Sequence, residues 1–367
     1  MNKECTILTL NDTLLQLQRL QYENDAGATH DLLPLQSELH ELLNHQTLQG
    51  GLVRRWIESD PDVAVLRDRA DAWAPPPTAD EVLALMQRRN DSAFQLGYAG
   101  YPWAILSADG LSPHTLREHL THLLAQDLDF AASAARDAGI TTMADWFPAL
   151  HRDGQLSAPL DPLPLLERFA DALHVRDVLT CTQVTVAEGG SFASRTGEHS
   201  FRMQVAPIDT VNGWRTLFHE FGHVCTYALA PAEHLPRLSA VTDEMLAVLF
   251  EHAAAHLLAE EPLRQHVLQE MRMDHARCAI SSLFELDLWQ CPARAESLYT
   301  QHYGKLVASP DPATWHMDSF RSIDCMTVHG YALGQLFATH IAPEALLTRL
   351  PDLCRHACDT SPQALLQ

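Results

Sequence analysis

No run of eighteen apolar residues occurs in the 367-residue sequence, so it offers no membrane-spanning helix. Positive charge is scarce. Lys and Arg number 25 against 47 Asp and Glu, a formal net charge of −22. A chain this acidic repels phosphate backbones and anionic lipid, which argues against nucleic acid and membrane surfaces as partners. Cysteine patterning is lacking too. The eight cysteines are scattered and none forms a CxxC, so they are expected to be reduced thiols of a cytoplasmic protein. Cys354 and Cys358 bracket His356, but one short cluster is weak ground for a metal site. The opening Met1-Asn2-Lys3-Glu4 has no basic stretch followed by a long apolar core, so no secretory signal is expected. Internal repeats and low-complexity tracts, apart from one run of prolines, are also missing.

What is present is a helical pattern with material for a large core. Hydrophobic residues make up 46% and mean hydropathy is −0.12, which excludes a disordered chain. Apolar residues recur at helical spacing over 13–24, 31–46 and 51–58. Ala74-Pro75-Pro76-Pro77 then interrupts the chain, and Thr78-Ala79-Asp80-Glu81 reads as a capping box. The expected organisation is an N-terminal helical segment, 1–74, followed by a larger helical unit, 78–367. Ser112-Pro113 and Asp161-Pro162 start two further helices, the second reaching about His174. A small β region is expected over about 179–208. Thr182, Val184 and Val186 alternate there, Gly189-Gly190 turns the chain, and Phe201, Met203 and Val205 mark a second strand. The fold class expected is mainly α with a small sheet.

One segment carries chemistry. His219-Glu220-Phe221-Gly222-His223 lies in a helix that begins near Asp209 or Thr210 and ends before Pro231. Residues four apart differ by about 40° around a helix, so both imidazoles leave one face and can grip one ion. Glu220 stands beside the first histidine, where its carboxylate reaches a water without ligating the metal. The 21 histidines enlarge the pool of ligands, but this pair has the spacing a zinc hydrolase needs. A third ligand is expected from the apolar helix that follows. Glu244 is the first choice and Asp243 the alternative, with Glu251, two turns on, accepting a hydrogen bond from a ligating imidazole. Two histidines and a carboxylate also suit iron or manganese, so Zn2+ is the default and not a deduction.

At this point the residues resemble the thimet-oligopeptidase and oligoendopeptidase F family of zinc metallopeptidases, a gluzincin family. Phe218-His219-Glu220-Phe221-Gly222-His223 is similar to its zinc motif, and Glu244 and Glu251 stand as its later glutamates do. Arg89-Asn90-Asp91-Ser92-Ala93-Phe94-Gln95-Leu96-Gly97-Tyr98 resembles a helix end of the family. Gly189-Gly190-Ser191-Phe192 is similar to the turn on its substrate-binding edge strand, which implies substrate contacts at Gly190 and Phe192. Gly330-Tyr331-Ala332-Leu333-Gly334 resembles the late helix that brings a tyrosine, here Tyr331, to the scissile carbonyl. Together these span about residues 80–340. Members are usually longer, so the N-terminal half of their channel is expected to be largely missing. Tyrosines usual before Tyr331 are replaced by Asp324-Cys325-Met326-Thr327-Val328-His329, which makes His329 a candidate oxyanion donor. His316 is the candidate for the family's substrate-facing histidine.

The resemblance implies a zinc-dependent oligopeptidase with one Zn2+ per chain, acting on a short peptide or amide. Two rivals stand beside it: a metal enzyme acting on one specific metabolite of a biosynthetic pathway, and a non-catalytic helical binding protein. The second has no use for Glu220.

Overall fold

The computed structural model describes residues 3–25, 28–71, 76–153, 155–188 and 190–366. Eight helices come first: α1 (Lys3–Asp25), α2 (Leu33–Leu43), α3 (Gly51–Glu58), α4 (Pro61–Asp71), α5 (Ala79–Gln95), α6 (Tyr101–Ala108), α7 (Pro113–Asp137) and α8 (Trp146–Asp153). Strand β1 (Gln155–Leu160) and helices α9 (Pro162–Ala172) and α10 (Arg176–Thr180) lead into β2 (Thr182–Val186), β3 (Phe192–Gly197), β4 (Ser200–Val205) and β5 (Ile208–Thr210). The rest is helical: α11 (Val211–Leu229), α12 (Ala240–His256), α13 (Glu261–Gln290), α14 (Ala295–Tyr303), α15 (Ser319–Ser322), α16 (His329–Ala338), α17 (Pro343–Arg355) and α18 (Pro362–Leu365).

The helix starts follow local chemistry. Thr78 and Glu81 form the reciprocal capping box that opens α5. Ser112 and Asp161 cap α7 and α9, each with proline in the first turn, where its missing N–H costs nothing. Of the proline break, Ala74 and Pro75 lie outside the described residues.

The β region differs from a hairpin. The two expected strands, β2 and β4, run parallel, and β3 pairs antiparallel with β4 at the edge of the order β2-β4-β3. Gly189 of the expected turn lies outside the described residues. A second pair, β1 with β5, is an addition: β5 has three residues, too few to show alternation in sequence.

One hydrophobic core runs through the molecule. Leu14, Leu39 and Trp56 from the first helices join the same cluster as Phe221, Phe250 and Leu333. At its centre α12 packs against α11 on one side and α16 on the other. Three glycines set how near these helices come. A Cβ on Gly222 would meet the Ala247 Cα at 2.9 Å, one on Gly330 the Glu244 Cβ at 2.9 Å, and one on Gly334 the Val248 Cβ at 2.8 Å. No side chain fits at these crossings, so backbone contact fixes the spacing of the three helices. Seven described cysteines are free thiols, and Cys225, Cys278, Cys325 and Cys354 among them are buried.

Candidate metal centre

The Thr210 hydroxyl accepts from the Gly213 N–H and starts α11. That register sinks Leu217, Phe221 and Val224 into the core. His219, Glu220 and His223 are buried as well, so their polar atoms need partners. The histidines find them on α12. Nε2 of His219 lies 3.2 Å from Nε2 of His223 and 3.2 Å from Oε2 of Glu244. The remaining side of this triangle, His223 Nε2 to Glu244 Oε2, is 3.8 Å.

The outer nitrogens are held by two more carboxylates. Nδ1 of His219 is 2.8 Å from Oε1 of Glu251, and Nδ1 of His223 is 3.0 Å from Oδ1 of Asp243. Each contact turns Nε2 of its ring towards Glu244. Arg215 donates its Nε–H to the other Glu251 oxygen at 2.9 Å and lies 3.6 Å from Asp274. The Tyr227 hydroxyl donates to Oδ2 of Asp243 at 2.8 Å.

Asp243, the alternative third ligand in the sequence, thus stands behind His223 and does not face the Nε2 atoms. Successive helix positions are about 100° apart. With Glu244 turned to the triangle, its predecessor falls on the flank. Asp243, Tyr227 and Arg215 were not foreseen in this supporting role. The Asp-Glu pair at 243–244 was the one available signal, and it needed the helix–helix geometry to be read.

The electrostatics follow from burial and this crowding. Burial disfavours a charged His219, yet Glu244 and Glu251 outweigh it and raise its pKa well above the usual value. His223 is raised to about 9, with Asp243 and Glu244 overcoming burial. Burial works against the Glu251 ion, but Arg215 and His219 hold its carboxyl down to about 2. Glu220 moves the other way: burial raises its carboxyl above the ordinary range.

The residues fit a divalent metal. Ligands about 2.05 Å from a tetrahedral zinc lie about 3.3–3.4 Å from one another, close to the separations found. Oε2 of Glu244 is buried with no hydrogen-bond partner, so an atom is wanted at the triangle's centre.

The other expected residues divide. Tyr331 joins the cluster: its ring stacks on His219 at 5.4 Å and 2°, and its hydroxyl donates to the Glu244 carboxylate. His329 begins α16 but no hydrogen bond links it to the cluster. It is buried beside Arg54, and burial and that charge push its pKa down to about 3. Nδ1 of His316 meets the Pro77 carbonyl at 2.8 Å and its ring lies against Trp315, so its contacts do not join it to the metal ligands. Phe192 starts β3 and packs edge-on to Tyr22 of α1 at 5.1 Å. The Gly190 carbonyl accepts from the Gln204 side chain at 3.2 Å.

No family model matches the sequence, and no curated protein sequence matches it. Solved structures share its architecture. An M32 carboxypeptidase from Deinococcus radiodurans R1 superposes with a TM-score of 0.61 at 12% identity, over 99% of this chain and 94% of that one. Metallocarboxypeptidase 1 of Trypanosoma cruzi gives 0.59 at 12%, over 98% and 95%. A protein assigned as an oligoendopeptidase F gives 0.57 at 10%, over 98% of this chain and 70% of that one. The chain therefore shares the mainly helical fold of these structures, with a small sheet beside α11. The likeness spans carboxypeptidases and oligopeptidases and does not single out the thimet-oligopeptidase family. The chain is shorter than the oligoendopeptidase F, as expected, but spans nearly the whole length of the two carboxypeptidases.

Proposed function

We propose that this chain is a zinc-dependent peptidase of short peptides, with His219, His223 and Glu244 holding one ion. The observation that carries the reading is the triangle of two Nε2 atoms and one Oε2, backed by Glu251 and Asp243 and flanked by Glu220 on the same helix. When bound, the metal supplies electrophilic activation of a water and of the scissile carbonyl. Glu220 accepts the proton of the attacking water and returns it to the leaving nitrogen. Burial raises its carboxyl above the ordinary range, which makes it a stronger base. The Tyr331 hydroxyl, held near the ligands by its stack on His219, turns from the Glu244 carboxylate to donate to the carbonyl oxygen as negative charge develops. His329 and His316 have no part in this reading, because their contacts lie elsewhere.

Where the cut falls is a second matter. The two carboxypeptidases are matched over 94% and 95% of their own length, the oligoendopeptidase F over 70%, which supports trimming near a peptide's end. Elemental analysis of purified protein, run beside cleavage of a mixed peptide library, tests the whole reading. About one zinc per chain and hydrolysis of short peptides are expected. A fully zinc-loaded chain that cleaves nothing in the library overturns it, and product masses report the position of the cut.

A further inference from the structure

Between the first helices and β3 lies a cavity of about 330 Å³. Leu14, Leu39 and Phe192 give it apolar walls, while Gln36, Arg55 and Tyr227 bring polar groups to it. Tyr227 ties the cavity to the candidate metal centre. Its hydroxyl donates to Asp243, its ring stacks on His223 at 6.2 Å, and Asp243 backs the same histidine. The cavity is therefore one residue away from a metal ligand.

Resting on the peptidase reading above, we propose that this cavity anchors the substrate and that Arg55 binds a substrate carboxylate in it. Arg55 is half-buried, and its Nε–H donates to the Pro236 carbonyl at 3.0 Å. Among the described residues no carboxylate pairs with it, and Asp243 acts on it only as a charge at longer range, although the chain carries a net charge of −22. A guanidinium has five N–H donors in a planar fork, so the outer edge is free for two carboxylate oxygens.

The acids nearby are committed elsewhere. Glu58, on the cavity wall, takes Arg89 through both oxygens at 2.9 and 2.8 Å and accepts from the Tyr101 hydroxyl at 2.7 Å. Asp243, whose field reaches Arg55, is engaged by Tyr227 and His223. A second polar group is also unanswered. Gln36 is 5% exposed, lines the same cavity, and its Oε1 is buried without a hydrogen-bond partner. Buried acceptors are normally satisfied, so this oxygen awaits a donor. A peptide offers both complements, a carboxylate for Arg55 and an N–H for Gln36. The volume lies at the low end for ligand sites, which suits one or two residues and not a long chain.

The carboxylate has two sources, a free peptide C-terminus or an acidic side chain. Four N-acetylated tetrapeptides separate them: tetra-alanine as free acid, tetra-alanine as C-terminal amide, and two amides ending in Glu or in Gln. Binding is measured by calorimetry on zinc-loaded Glu220→Gln protein, and hydrolysis on the wild type. The carboxylate-bearing peptides should bind about 10- to 100-fold more tightly than their neutral counterparts. A preference for the free acid alone assigns the C-terminus; one for the Glu amide alone assigns the side chain. Arg55→Met in that background should erase the preference with zinc content and melting temperature kept. Equal binding of all four peptides, or a preference that survives Arg55→Met, overturns the assignment. If Arg55→Met does not fold, Arg55→Lys reads the same point. An ammonium cannot form the bidentate fork, so the preference should narrow, and an unchanged preference overturns the proposal. A wild type that binds carboxylate peptides selectively but hydrolyses none sinks the peptidase reading and leaves the subsite standing.

Discussion

The metal wall and the cavity wall of this molecule are finished to different degrees. In the metal wall the supporting groups answer one another and leave Oε2 of Glu244 open at the centre: Arg215 holds Glu251, Glu251 holds His219, Tyr227 holds Asp243, and Asp243 backs His223. The helices beneath are locked by glycine crossings that leave no room for a side chain. In the cavity wall, among the described residues, Arg55 lacks a paired acid and the Gln36 Oε1 lacks a donor. The contrast separates two tasks. A metal centre needs its ligands fixed before the ion arrives. A recognition surface keeps donors and acceptors unanswered, so that the correct ligand alone completes them.

Substitutions should respect that division. The largest effect belongs to the double variant His219→Ala, His223→Ala, which should lose zinc altogether, because Glu244 alone cannot retain it. Stoichiometric zinc in that protein by elemental analysis would show the ion to be elsewhere. Glu220→Gln should keep zinc and fold yet lose about 10²–10⁴ in kcat, the usual contribution of a positioned base. Turnover within a few-fold of wild type would remove Glu220 from the mechanism. In the other wall, Glu58→Gln should leave zinc untouched but cost about 3–5 kcal/mol of stability at neutral pH, since it strands the buried Arg89.

That last effect carries a sign in pH. Burial works against the Glu58 ion, but Arg89 outweighs it and lowers the folded-state pKa. Its contribution is full above the unfolded carboxyl's pKa and is lost as pH falls through the folded value. Denaturant titrations should therefore show wild type and variant converging in acid. Parallel curves would remove Glu58 from the acid response. Tyr331→Phe comes next, with kcat down about 10²–10³ and KM little changed. An early melting point with normal turnover would instead make the tyrosine a packing residue. The smallest effect is Asp243→Asn, which should weaken zinc retention about 10- to 100-fold by competition with a chelator. It should do so without altering which peptides are preferred, since Asp243 acts through His223. A changed peptide preference at unchanged zinc affinity would join the two walls into one.

Much of the metal wall was legible because its information is local. Positions 219 and 223 share a helix face by spacing alone, and Glu244 and Glu251 lie two turns apart on another helix. The caps at Thr78, Ser112 and Asp161 were equally visible. What escaped depends on contacts between distant segments. The alternation in β2 and β4 shows two strands but not that they pair in parallel. Asp243 read as a spare ligand until the α11–α12 crossing placed it behind His223. Arg55 is one arginine in an amphipathic helix, and only the approach of α1, α2 and β3 gives it a cavity to face.

The buried thiol of Cys225 gives this architecture a clock. It sits two residues beyond His223, fully buried, and burial pushes its pKa well above that of a free thiol. Across from it Cys354 of α17 lies 3.7 Å from the Thr226 hydroxyl, equally enclosed. Thiols held this way stay silent to alkylating reagents until the helix that carries them opens. The rate at which Cys225 is modified thus times the breathing of the helix pair that carries the candidate metal ligands. An ion bound only by the closed pair would slow that rate by a factor of one plus the ratio of free ion concentration to Kd, so Cys225 would report metal occupancy without touching the metal.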